Sequence, residues 1–138
     1  MFVVVDASVW VSRLVVSDES HITVKDWMNA QREQDATLIS PSILLAELGG
    51  VISRVTGKPK LGLGAIERIE SLPDVRIVDM DKSLMDNASR IAAKYGLRGA
   101  DSVYVAVASS LNIPLVTFDI DQRQRGSKLV DVIEISAE

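Results

Sequence analysis

The stretch that decides the fold is Phe2-Val3-Val4-Val5-Asp6-Ala7-Ser8. Its four apolar residues, three of them β-branched, predict a strand that is buried on both faces. The run ends at Asp6, and open α/β sheets build their sites at the carboxyl ends of strands. We therefore take Asp6 as a candidate site residue, although aspartate is also a common turn residue where strands stop. Ser8 is predicted to be the N-cap of the next helix.

Composition narrows the class of protein. The 138 residues predict a single domain over 1–138, long enough to bury its own core. The chain has no cysteine, which excludes disulfides and thiolate metal sites and agrees with a reducing compartment, so we expect it in the cytoplasm. The single histidine excludes sites built from several histidines. No run approaches the ~18 apolar residues of a membrane span, and we expect no membrane partner.

Predicted strands and helices alternate along the chain. The predicted strands cover residues 2–5, 37–40, 75–78, 115–119 and 129–135, and the predicted helices cover 8–16, 21–33, 41–55, 61–72 and 83–95, with another from 99. Such alternation is typical of a parallel sheet covered by helices on both faces.

The helix predicted at 41–55 contains an unusual carboxylate. We expect this helix to start at Pro41, with Ser40 as its N-cap. Between residues 43 and 52, Glu47 is the one residue that is neither apolar nor glycine, so the helix is predicted to be buried nearly all round. A buried carboxylate is costly unless it is paired or bound to a metal. Glu47 is therefore a candidate site residue, the alternatives being that it turns outward or pairs with an arginine.

Two further acids stand at ends of predicted elements. Asp101 lies in the first turn of the helix that begins at Gly99, where the helix dipole alone can account for an acid. Asp119 ends the predicted fourth strand, as Asp6 ends the first. Because parallel strands end at the same edge, Asp6 and Asp119 are expected at one edge of the sheet.

Asp6, Glu47, Asp101 and Asp119 together suggest a chemistry. Oxygen donors without histidine or cysteine suit a hard cation such as Mg²⁺ or Mn²⁺. Carboxylate clusters that hold such ions promote phosphodiester hydrolysis. The net charge of −4 argues against a polyanionic partner, but divalent ions bound to the four acids would cancel that charge.

Four segments in this order resemble a PIN domain: VVVDASV, SILLAELGGVI, GLRGADSVYVAVA and LVTFD. The chain is similar over nearly its whole length to the small VapC-type toxins of bacterial and archaeal toxin–antitoxin pairs. The resemblance implies a three-layer α/β/α fold whose five-stranded parallel sheet has the order 3-2-1-4-5. It also implies an endoribonuclease that depends on Mg²⁺ or Mn²⁺, a homodimer, and an antitoxin whose tail blocks the acidic groove.

The resemblance assigns roles by position. Asp6 and Asp101 match the two principal metal-binding acids, Glu47 matches the acid of the third helix, and Asp119 matches the acid after the fourth strand. All four are therefore expected to be catalytic and metal-binding.

Supporting roles follow from the same positions. Ser8 matches the small polar residue that orients the first acid, and Thr117 matches the hydroxyl residue just before the fourth. The segment after Asp119 is more charged than the short hydrophobic continuation of the family. Asp121 in that segment could share or replace the role of Asp119.

Contact with RNA requires positive charge near the acids. Either RNA contact or ordinary surface charge accounts for each basic residue nearby. The candidates are Arg123, Arg125 and Lys128 after the fourth acid, followed by Lys58, Lys60 and Arg13.

Other functions remain open at this stage. A stand-alone PIN nuclease could process RNA in housekeeping, and a non-catalytic RNA- or protein-binding module could keep the acids for structure. A receiver-type domain with Asp6 as phospho-acceptor is a third possibility. It usually has a second acid beside or two residues after the first, where this chain has Ser8, and a lysine at the end of the last strand, where none follows Ile133.

Overall fold

The computed structural model describes residues 1–136, which fold into a parallel sheet with helices on both faces. The strands are β1 (Phe2–Val5), β2 (Thr37–Pro41), β3 (Val75–Val78), β4 (Leu115–Val116) and β5 (Val132–Ile133). The helices are α1 (Ala7–Leu14), α2 (His21–Glu33), α3 (Ile43–Thr56), α4 (Pro59–Ser71), α5 (Lys82–Tyr95), α6 (Gly99–Leu111) and α7 (Ile120–Gly126). None of the helices within residues 1–136 combines the length and the apolar surface needed to traverse a bilayer.

The strand order is β3-β2-β1-β4-β5, and all four pairings are parallel. This confirms the predicted order and makes β1 the central strand. Val4 pairs with Ile39 on one side and with Leu115 on the other. Three valines of β1, residues 3 to 5, are 0% exposed, as expected of a strand covered on both faces. The carboxyl ends of β1 and β4 therefore lie side by side.

The helices are divided between the two faces of the sheet. α1 contacts α2 and α3, and α3 packs closely on α4, whereas α5 packs on α6. The chain runs from the central strand β1 to β3 at the edge through helices α1 to α4. It then passes from β3 back to β4, beside β1, through α5 and α6. Right-handed crossovers in opposite directions put those two groups on opposite faces.

The predicted start of the third helix is wrong. Pro41 is the last residue of β2, and α3 begins at Ile43. Ser40 does not cap the helix, because its buried hydroxyl donates to the carbonyl oxygen of Val5 at 2.6 Å and accepts from the indole of Trp10 at 3.2 Å. The serine thus joins the two central strands instead of ending a helix.

The prediction that this helix is buried nearly all round is also wrong. Of its residues, Leu44, Leu48 and Ile52 are buried, and Glu47 is half-buried. The apolar run supplies two contact faces, one for the core and one for α4. Helices α3 and α4 come so close that a Cβ on Gly62 would lie 2.6 Å from the carbonyl oxygen of Gly49.

Several boundaries differ from the predictions. Asp6, not Ser8, is the N-cap of α1, since its side chain accepts the Ser8 amide. The predicted loop at 56–60 is reduced to residues 57 and 58, because Pro59 begins α4. Helix α7 was not predicted. The hydrogen-bonded parts of β4 and β5 are shorter than the predicted runs.

Candidate active site at the carboxyl edge of the sheet

Asp6 is the most buried acid at the edge where β1 and β4 end, with 5% of its surface exposed. Its Oδ2 atom accepts hydrogen bonds from the Ser8 amide at 3.1 Å and the Ser8 hydroxyl at 2.6 Å, and the Thr117 hydroxyl lies within hydrogen-bond distance of it at 3.0 Å. Within residues 1–136, no protein donor reaches Oδ1. One oxygen of Asp6 is therefore held by the protein, and the other is left for a ligand.

Thr117 and Gln122 form a buried support beneath this carboxylate. The Thr117 hydroxyl lies 2.8 Å from Oε1 of Gln122, and it accepts the Asp119 amide at 3.1 Å. Its single proton serves either Asp6 or Gln122 at one time. The side-chain amide nitrogen of Gln122, Nε2, donates to the backbone carbonyl oxygen of Asp101 at 3.2 Å. This network joins the end of β4 to the first turn of α6.

Asp101 and Asp119 are bridged by an arginine. Arg98 donates from Nε to Oδ2 of Asp101 at 3.2 Å and from Nη2 to Oδ2 of Asp119 at 2.7 Å. The guanidinium side chain is 71% exposed, while the Asp101 and Asp119 side chains are 15% and 28% exposed. Burial, and then the charges of Asp119 and Asp6, raise the pKa of Asp101, although Arg98 opposes that shift.

Glu47 approaches the same group of acids from α3. Its Oε1 accepts a hydrogen bond from the Tyr104 hydroxyl at 2.8 Å, so its partner is a tyrosine and not an arginine. Burial raises the pKa of Glu47; the Tyr104 bond lowers it, and the charges of Asp6 and Asp101 raise it further. Because Coulomb interactions weaken with distance, Glu47 belongs to the neighbourhood of Asp6 and Asp101. The region formed by these three acids and Asp119 is called the cleft below.

The donor set of the cleft fits a hard divalent cation. All four groups are carboxylates, no protein donor within residues 1–136 reaches Oδ1 of Asp6, and burial, followed by the charges of neighbouring acids, raises the pKa of Glu47 and Asp101. In the part of the chain that the structure describes, no three acidic or histidine side chains converge closely enough to hold an ion together. Asp101 and Asp119 are instead held by Arg98.

Asp121 and the basic residues are the remaining predicted site residues. Asp121 is on α7 and pairs with Arg125 at 2.8 Å, while Arg123 pairs with Glu134 at 3.3 Å. Lys58, Lys60 and Lys128 are exposed.

Arg13 is not near the acids. It lines a small cavity with Arg32 and Arg68, whose positive charges, after burial, lower its pKa. Arg32 pairs with Asp74, one residue before β3 begins, so this cluster lies at the edge opposite to Asp6.

Three residues near the acids, Arg98, Tyr104 and Gln122, were not predicted from the sequence, although their spacing from Asp101 and Asp119 indicated a contact. Arg98 and Tyr104 stand three residues before and after Asp101, a spacing that puts side chains on one helix face. Asp119 followed by Gln122 has the spacing of a capping box. In the structure the backbone amide of Gln122 does donate to Oδ1 of Asp119, at 2.8 Å.

Comparisons with known proteins agree with this architecture. A family model of the PIN domain matches residues 3–128, whereas a search of curated proteins finds no significant match. The chain is similar to the solved structure of VapC20 of Mycobacterium tuberculosis, a toxin described as cleaving the sarcin–ricin loop; the identity is 20%, the TM-score is 0.78, and the match covers 90% of this chain and 95% of that chain.

Two complexes give similar matches. VapBC2 of Rickettsia felis, bound to promoter DNA, shows 17% identity and a TM-score of 0.73, with 97% of this chain and 100% of that chain covered. A toxin–antitoxin complex from Klebsiella pneumoniae shows 13% identity and a TM-score of 0.66, with 96% of each chain covered. At these identities the structural matches show the fold, and the family is shown by the model that spans residues 3–128. The chain belongs to the PIN domain family.

Proposed function

We propose that this chain is a metal-dependent endoribonuclease and the toxin of a type II toxin–antitoxin pair. The observation that carries the proposal is the hydrogen bonding of Asp6: Ser8 and Thr117 hold its Oδ2 atom, whereas no protein donor within residues 1–136 reaches its Oδ1 atom. A buried acid that is held at one oxygen and free at the other is suited to bind a cation. Asp6 lies where the central strand ends, which is where open α/β sheets bind ligands.

The residues that would hold Mg²⁺ or Mn²⁺ are Asp6, Glu47, Asp101 and Asp119. When bound, such an ion supplies Lewis-acid stabilisation of a phosphodiester and lowers the pKa of a water molecule. Ser8 and Thr117 would hold the Asp6 carboxylate in place through their hydroxyl groups. Tyr104 would orient Glu47 and keep it ionised.

We assign the fourth acid to Asp119 and not to Asp121. Asp119 shares Arg98 with Asp101, and its charge contributes to the raised pKa of Asp101. Asp121 instead pairs with Arg125, four residues further along α7. The carboxylate of Asp119 therefore belongs to the cleft, whereas that of Asp121 is already engaged elsewhere.

RNA contact is proposed for exposed lysines and for two arginines of α7. Lys58, Lys60 and Lys128 form no ion pair with any residue in the range 1–136, so their charges are available to phosphates. Arg123 and Arg125 already pair with acids and would have to exchange them for phosphate. Arg13 is withdrawn from this proposal because it lies at the opposite edge of the sheet.

The partner proposals have different support. An antitoxin is supported by the similarity to a solved toxin–antitoxin complex from Klebsiella pneumoniae. A homodimer, a cytoplasmic location and a single domain over 1–138 are retained as proposals; residues 137 and 138 lie outside the described part of the chain.

A non-catalytic binding module is the second candidate, and one observation favours it. Arg98 neutralises two of the four acids without any metal, so the acids have a structural role available. A module of this kind would bind RNA or protein equally well with and without divalent ions. Metal dependence therefore separates the two candidates.

The test is cleavage of end-labelled single-stranded and structured RNAs in Mg²⁺, in Mn²⁺ and in chelator. Wild type is compared with Asp101→Asn and with Asp86→Asn, which makes the same change at an exposed residue of α5 paired with Lys82. We expect cutting by wild type and Asp86→Asn with metal, and a loss of at least about 100-fold in Asp101→Asn. Equal cutting in chelator, or by Asp101→Asn, would contradict the proposal.

A further inference from the structure

We propose that Arg98 acts as a built-in counter-ion of the acidic cleft, which competes with the divalent cation for Asp101 and Asp119 and so sets the metal concentration at which the site fills. This inference rests on the proposed function, since it concerns the loading of the same site. Arg98 would control how readily the cation binds, because the guanidinium and the cation exchange with each other at the two acids; it would not contact the substrate.

The geometry shows that one side chain engages both acids at once. Arg98 uses Nε for Asp101 and Nη2 for Asp119, at 3.2 and 2.7 Å. The two bonds come from different nitrogens, so neither has to break for the other to form. The oxygens that they occupy belong to two of the four carboxylates that a hard cation would need.

The charge balance explains why a cation is required there. Asp101 is repelled by Asp119 and Asp6, and Glu47 is repelled by Asp6 and Asp101. Among residues 1–136, Arg98 is the basic side chain that bonds to any of these four acids. Without a metal, the guanidinium is thus the positive charge that offsets the repulsion within the cleft.

The exposure of Arg98 makes the exchange possible. Its side chain is 71% exposed, and its backbone is extended at the N-cap position of α6, so the side chain can move into water without uncovering the core. Exposed ion pairs are weak, and two such pairs lower the apparent affinity of a competing cation by about 2- to 30-fold. A buried arginine would instead block the site.

The experiment is titration of the full-length protein with Mn²⁺ by calorimetry, without RNA. Arg98→Met removes the guanidinium, Arg98→Lys keeps a charge but loses the two-nitrogen contact, and Arg90→Met is the control at an exposed arginine of α5. We expect Arg98→Met to bind Mn²⁺ about 2- to 30-fold more tightly than wild type. Arg98→Lys is expected to lie between the two, and Arg90→Met to match wild type.

Thermal unfolding gives a second readout. The Arg98→Met variant should melt at a lower temperature than wild type in chelator and should gain more from Mn²⁺, because it loses the counter-ion and keeps the acids. A merely structural arginine would weaken metal binding when removed, not strengthen it.

The outcomes distinguish a failure of the inference about Arg98 from a failure of the proposed metal site. Equal or weaker Mn²⁺ binding by Arg98→Met than by wild type overturns the inference and leaves the metal site intact. Binding by Arg98→Met alone supports the inference in its strongest form. Absence of Mn²⁺ binding in wild type and in every variant overturns the metal site of the proposed function, and the inference falls with it.

Discussion

Replacing Tyr104 with phenylalanine tests whether Glu47 is held ionised in the cleft. Tyr104 is 0% exposed, and its hydroxyl donates to Glu47 at 2.8 Å. Burial and the neighbouring carboxylates raise the pKa of Tyr104, so the hydroxyl keeps its proton and remains a donor. Phenylalanine preserves the ring and the packing but removes the proton that faces Glu47.

The expected cost follows from the type of bond. A hydrogen bond to a charged group contributes roughly 1.5–3 kcal/mol, and because water can reach the half-buried Glu47, we expect a loss of about 1–2 kcal/mol near pH 8. For a chain of this length, 1 kcal/mol corresponds to about 3 °C in Tm. The bond lowers the pKa of Glu47, so its contribution is complete when Glu47 is ionised and decreases as the pH falls through that pKa.

The assay is urea unfolding of wild type and Tyr104→Phe at pH 8 and pH 5, in chelator. Tyr95→Phe is the control, since within residues 1–136 no hydrogen bond to the Tyr95 hydroxyl is found; its cost should stay below about 0.5 kcal/mol. In a Glu47→Gln background, the cost of Tyr104→Phe should become independent of pH. A cost of the same size at both pH values in the native background would refute the reasoning.

Two further predictions concern packing and pH. Gly62→Ala should lower the free energy of unfolding by about 1–3 kcal/mol, because its Cβ would lie 2.6 Å from the Gly49 carbonyl oxygen. Gly64→Ala on the same helix is the matched control, because its Cβ meets no atom within 4 Å. It should raise the free energy of unfolding by about 0.5–1 kcal/mol in the same denaturant assay. Raised pKa values in Glu47 and Asp101 mean that the native state binds protons more tightly than the unfolded chain, so these groups should make the chelated protein more stable as the pH falls from 7 through those pKa values. A stability that falls steadily over that range in wild type, but not in Asp101→Asn, would contradict the sign.

The central part of the fold could be predicted because local and global signals agree there. Residues 2–5 are apolar and β-branched, and they form the strand that is covered on both faces. His21 to Glu33 has a clear apolar periodicity, and α2 has the predicted bounds. The strand order came from the family resemblance and agrees with the structure.

Other features depend on contacts that sequence does not display. Helix α7 buries Gln122 and Gly126 and has no apolar stripe, so hydrophobic periodicity could not reveal it. The run from residue 43 to 52 is apolar because α3 serves two neighbours, a fact that becomes visible only when α4 is in place. Arg98 could be placed beside Asp101 from its spacing, but its bond to Asp119, 21 residues away, is a tertiary contact.

The hydrogen bonds that hold one oxygen of Asp6 have a consequence for binding entropy. They fix the plane of the carboxylate when the chain folds, so a ligand at Oδ1 meets a group whose rotation is already frozen. Ordering a free side chain costs about 0.5–1.5 kcal/mol on binding, and at Asp6 that cost is met during folding. Asp119 also keeps one oxygen bonded to the backbone amide of Gln122, whereas the side chain of Asp101 is bonded to the exposed Arg98. Of the acids that would hold a cation, Asp6 is therefore the rigid ligand and Asp101 the mobile one.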